Sequence, residues 1–89
     1  MNKFKAQKRL DYAVIKQAIR DCSSKNELLV SDSLEWFNSD EFKIICERNN
    51  ILPDKVIGSV REMLEYPIIT RKKFAIEIAK LLIANGADK

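Results

Sequence analysis

Three side chains within one short stretch have the types that read nucleic acid. Lys55, Ser59 and Arg61 lie in residues 41–64, EFKIICERNNILPDKVIGSVREML. Lys, Ser and Arg donate hydrogen bonds to base edges and to phosphate oxygens. The spacing of this stretch matches a helix–turn–helix. Cys46 supplies the compact apolar residue of the first helix, and Asn50 takes the turn position that glycine often fills. Ile51 packs behind the turn, and Val56, ten residues past Cys46, anchors the second helix. The match breaks at Ser59, where the next apolar residue is expected; Val60 comes one position late. Charge also works against it, because Asp54, Glu62 and Glu65 share the second helix and repel phosphates. Two helices packed for purely structural reasons have the same spacing, so both readings stand.

Other chemistries are excluded by composition. The chain has no histidine, which removes the commonest general base, the commonest metal ligand and every Ser–His or Cys–His pair. Its two glycines, Gly58 and Gly86, stand alone, so no glycine-rich phosphate loop exists. The adjacent acids Asp40 and Glu41 follow Ser39. They read as the first turn of a helix, where negative charge complements the helix dipole, rather than as metal ligands. Cys22 and Cys46 sit at apolar helical positions and read as buried free thiols. No catalytic residue, metal ligand or cofactor is assigned, and the chain reads as a non-enzyme.

The net charge of +3 conceals a strong asymmetry. Residues 1–20 hold six basic groups against one acid, residues 21–65 hold five against ten, and residues 66–89 hold five against two. Lys3 and Lys5 at the front, and the run Arg71, Lys72 and Lys73, are therefore candidates for phosphate contacts. Solvated helix faces carry the same charges. Basic residues near a helix start oppose its dipole by roughly a few tenths of a kcal/mol, a small penalty that favours a use for them.

The elements that position these groups read as helices. Eighty-nine residues make one domain. Only two Gly and two Pro are present, too few for the turns of a strand-rich fold. Residues 1–8 read as a flexible basic arm. A first helix is expected from about Leu10, or slightly earlier, to Cys22, with Leu10, Val14, Ala18 and Cys22, beside Tyr12, Ile15 and Ile19, as its apolar face. A second enters through Asp32 or Ser33 and carries Leu34, Trp36 and Phe37. These two aromatics read as core, or alternatively as exposed anchors for a partner. Ser39 caps a third helix with Phe42, Ile45 and Cys46, which stops at Asn49-Asn50. Pro53 opens a fourth, running to Tyr66-Pro67. A fifth starts after Thr70 and ends at Asn85-Gly86. That helix, 71–85, is apolar on nearly every side, so it is central or is covered by a second copy or another protein. The fold class is all-α: four or five short helices in an irregular or orthogonal bundle, with a helix–turn–helix at 41–64. The longest apolar run, Leu81 to Ala84, is far too short to span a bilayer, and the N-terminus lacks a secretory signal. No membrane association and a cytoplasmic location are expected.

Leu34-Glu35-Trp36-Phe37-Asn38-Ser39-Asp40-Glu41-Phe42, with Ile45-Cys46-Glu47 and Ile51-Leu52-Pro53-Asp54-Lys55-Val56, resembles a pattern of small bacterial and phage-associated helical proteins. Its parts are a Trp-containing helix, Ser-x-x-Phe, an apolar-Cys-Glu segment and an x-Pro-Asp-x-Val turn, together about a third of the chain. The resemblance implies a helix–turn–helix-like unit of mobile-element origin and no particular activity. The chain departs from the pattern at Asn50, where glycine is common.

These observations lead to a small DNA-binding or regulatory protein, phage- or prophage-encoded. In that reading Lys55, Ser59 and Arg61 meet double-stranded DNA, while Lys3, Lys5, Arg71, Lys72 and Lys73 meet phosphates. The alternative is a protein–protein interaction module or homodimer that buries the apolar C-terminal helix and binds no nucleic acid. Under the first reading, reversing the charges of Arg71, Lys72 and Lys73 weakens duplex binding and flattens its dependence on salt, measured by fluorescence anisotropy across a salt series.

Overall fold

Short polar side chains set most helix boundaries in the computed structural model, which describes the backbone of residues 3–86 and the side chains of residues 6–82. Five helices follow in chain order: α1 (Lys3–Cys22), α2 (Glu27–Phe37), α3 (Asp40–Arg48), α4 (Pro53–Met63) and α5 (Ile68–Gly86). No strand occurs among the described residues, so the fold is all-α.

Asn26 opens α2: its Oδ1 accepts from the amides of Leu28 at 3.0 Å and Leu29 at 3.3 Å, two donors that a helix start leaves orphaned. α2 therefore begins, at Glu27, five or six residues before the expected entry at Asp32 or Ser33. The run Ser31-Asp32-Ser33 lies inside the helix, with Ser33 buried. Ser39 closes one helix and opens the next. Its hydroxyl donates to the Trp36 carbonyl at 2.6 Å and accepts from the Phe42 amide at 3.3 Å.

α3 stops at the Asn pair as expected. Asn50 takes a positive φ of 57°, the Ile51 amide reaches back to the Cys46 carbonyl at 2.8 Å, and the Asn50 amide points at the Glu47 carbonyl at 3.4 Å. This is a Schellman ending with Asn in the usual glycine position. Residues 41–64 are thus two helices joined by a four-residue turn, 49–52. Pro53 sits at the start of α4. α5 starts at Ile68, ahead of the expected Thr70 cap, because the Pro67 carbonyl accepts from the amides of Thr70 (2.9 Å) and Arg71 (3.1 Å).

The core joins all five helices. Ile15, Ile19, Cys22, Phe42, Cys46, Val60 and Met63 are fully inaccessible, and Ala75, Ile78 and Leu82 of α5 close over them. Phe37 and Phe42 meet edge to face at 4.9 Å. Trp36 lies against both at the rim of the core, its Nε1 donating to Glu41 Oε2 at 3.3 Å. The aromatics thus pack together, as their helical spacing suggested.

Two expectations about α1 are corrected. The helix begins at Lys3 rather than near Leu10, so from Lys3 onward the expected arm is helical backbone. Its buried face holds Tyr12, Ile15, Ala18, Ile19 and Cys22 as expected, but Leu10 (61% exposed) and Val14 (42%) fall outside it and Asp11 (3% exposed) joins it. The cause is polar. Asp11 Oδ1 accepts from Arg48 Nη2 at 2.7 Å and from Gln7 Nε2 at 2.9 Å. Its Oδ2 accepts from Arg48 Nε at 2.7 Å and from Asn49 Nδ2 at 2.8 Å. Asn49 Nδ2 also donates to the Ile45 carbonyl at 2.8 Å. The fork of Arg48 matches the carboxylate in two parallel bonds, so α1 turns this face inward to meet the end of α3.

The Arg48 hydrogen bonds outweigh desolvation and hold the Asp11 carboxyl down at about 2, from an ordinary 3.8. A carboxyl whose pKa is lower folded than unfolded stabilises the fold above its unfolded pKa. The contribution fades as pH falls through 3.8 and is gone below about 2. It amounts to on the order of 1–2 kcal/mol, since water screens the half-exposed Arg48 side of the pair. Urea denaturation at pH 7 and pH 3 is therefore expected to show Asp11→Asn destabilised at pH 7, with a smaller loss between the two pH values than the parent protein.

Candidate functional site

The residues expected to read DNA do not share a face. At about 100° per residue, Lys55 and Ser59 lie one turn apart on one side of α4, and Arg61 is about 200° round from Ser59. Lys55 and Arg61 are exposed and Ser59 is half-buried. Arg61 instead edges a shallow cleft of about 230 Å³ against Leu34 and Phe37 of α2. Asp54, Glu62 and Glu65 are exposed along the same segment.

The basic ends fare differently from one another. Lys3 and Lys5 lie in the first turns of α1, and their side chains fall outside the described residues. Arg71 is committed internally: its Nε donates to the Tyr66 carbonyl and its Nη2 to the Leu64 carbonyl, both at 2.7 Å. It thereby satisfies carbonyls that the end of α4 would leave open. Lys72 and Lys73 are exposed, and Lys72 lines a concavity.

That concavity is a groove of about 820 Å³ between α1 and α5, closed at one end by the α1–α2 link. Lys16 and Arg20, one turn apart on α1, form one wall, and Lys72 and Lys80 of α5 form the other. Lys25 of the link adds a fifth cation, and Asp21 is the one acid on the lining. Gln17 Nε2 donates to Asp21 at 2.8 Å, and Lys80 makes a loose pair with Glu77 at 3.7 Å. Lys16, Arg20, Lys25 and Lys72 form no ion pair among the described residues. The floor is apolar: Leu29, Ala75, Ile76 and Ala79. Ile76 is 56% exposed although α5 buries Ala75 and Ile78 beside it.

Sequence reasoning placed Lys72 in a basic cluster but assigned no role to Lys16, Arg20, Lys25 or Lys80. The i, i+4 spacing of Lys16 and Arg20 was a usable local signal; that α5 would face it was not. The helix apolar on most sides resolves into a buried strip, Ala75-Ile78-Leu82, and outward residues that include Ile69, Ile76 and Leu81.

Reactive groups are inert in this arrangement. Burial pushes both thiols up to about 11, with Asp21 adding to the effect at Cys22, so neither is a thiolate at neutral pH. No cluster of three or more His, Cys, Asp or Glu side chains able to hold a metal occurs among the described residues, and no helix there is long and apolar enough to cross a membrane. No protein-family model, curated protein or solved structure matches the chain.

Arg71 and its neighbours separate by role. Arg71→Ala is expected to cost about 1–2 kcal/mol, because it leaves two carbonyls without their charged donor. Lys72→Ala and Lys73→Ala are expected to change stability by less than about 0.5 kcal/mol. Urea denaturation followed by Trp36 fluorescence checks this, and equal losses for all three would contradict the assignment.

Proposed function

We propose that this chain is a non-catalytic protein-interaction module that works through the groove between α1 and α5. The observation that supports it is the combination of an apolar floor with basic walls. Protein partners offer both an apolar stripe to cover such a floor and carboxylates to meet such walls. A nucleic-acid backbone offers charge alone and would leave Leu29 and Ile76 uncovered. Among the described residues no aromatic side chain lines the groove to stack on single-stranded bases. The duplex reading is further weakened by the acids displayed on α4 and by the separation of Lys55 and Ser59 from Arg61.

Site-specific photo-crosslinking tests this choice of partner class. A photoreactive residue at Ile76, introduced in cells of the protein's natural source, is expected to form discrete adducts that resist nuclease and vanish with protease. The same group at Lys55 is expected to form none of these species. Nuclease-sensitive adducts at Ile76 would assign the groove to nucleic acid instead.

A further inference from the structure

We infer that the groove accepts an acidic amphipathic α-helix of a partner protein, an inference that rests on the interaction reading above. Extended and helical segments dock by different physics, and the lining discriminates between them. Strand addition needs an open sheet edge, and no strand exists among the described residues. Polyproline segments dock between aromatic side chains, and none lines this groove. Phosphorylated motifs are gripped bidentately by clusters of arginine, whereas the four lysines here act as point charges and Arg20 alone offers a fork, which favours carboxylates spread along a partner over one phosphate. A helix laid between two helices is the remaining common mode.

The details of the lining suit that occupant. Ala79, half-buried on α5, presents only a methyl group at the groove, so an incoming backbone can approach closely there. Ile76 and Leu29 stand between the cationic walls and supply surface for a stripe of apolar side chains. Charge then sets the register. Lys16 and Arg20 match acids four apart on one flank of the visiting helix. Lys72 and Lys80 lie about 12 Å apart along α5 and match acids seven or eight apart on the other flank.

The test uses a defined probe, a fluorescein-labelled, lactam-stapled 18-residue helical peptide. It carries leucines at i, i+4, i+7 and i+11, with glutamates on both flanks. Titrated with the full chain at 100 mM salt, it is expected to bind, and the strongest NMR amide shifts are expected at Leu29, Ile76 and Ala79. Ile76→Glu and the double variant Lys72→Glu/Lys80→Glu are each expected to weaken binding at least tenfold while far-ultraviolet dichroism and thermal midpoint stay as in the parent. A peptide with alanines for the leucines is expected to lose at least tenfold, and one with lysines for the glutamates is expected not to bind.

Absence of binding at millimolar protein would overturn the inference, as would equal binding of the alanine peptide or indifference to both variants. If the photoreactive group at Ile76 still captures protein while the stapled helix fails, only the helical occupant is wrong. Nuclease-sensitive capture would remove the interaction reading itself.

Discussion

A carboxylate that is almost wholly inaccessible and accepts four hydrogen bonds ties the longest helix to the end of α3. Asp11 cannot face solvent without giving up the Arg48 fork and the Asn49 amide. Burying a charge is tolerable only with such complete pairing, and removing one partner leaves the other stranded in low dielectric. The network also spans a long sequence separation, joining α1 to the end of α3 and the turn that follows. Every other feature of α1's surface follows from this orientation. Leu10 and Val14 turn outward, and Ile15 and Ile19 turn inward.

The same orientation brings the protein's positive charge together. The basic front and the basic rear of the chain flank an acidic middle, and α1 packs beside α5 while α2 and α3 bear many of the acids. Lys16 and Lys72 are far apart in sequence yet line one groove. Four of the five cations there have no ion pair among the described residues, and Asp21 shares the lining with them. A fold under selection for stability alone would gain by interspersing acids along these walls. The concentration of like charge around exposed Ile76 is instead what an acidic, partly apolar surface would complement.

Local signals governed what could be read directly. Ser39 with two following acids, the Asn49-Asn50 stop and Pro53 each act on backbone groups within a few residues, and the boundaries of α3 and the start of α4 fell where those residues put them. The start of α2 is hidden in the sequence because Asn26 ends a polar run, Ser23-Ser24-Lys25-Asn26, that reads as a link, although its side chain caps two amides. Ser31, Asp32 and Ser33 seemed to interrupt a helix, yet a capped helix tolerates short polar residues when its neighbours are buried. Arg71 looked like a phosphate ligand because its bonds go to carbonyls five and seven residues back, across a chain reversal that spacing does not reveal.

Sequence by itself determined the all-α class, the helix–turn–helix-like arrangement of 41–64, the burial of both thiols and the absence of histidine chemistry, because each depends on residue type or on periodicity within one element. Tertiary structure decided which way α1 faces, which lysines meet across the groove and which apolar residues of α5 remain uncovered. Those outcomes depend on pairings such as Asp11 with Arg48, whose energy exists only once distant segments touch.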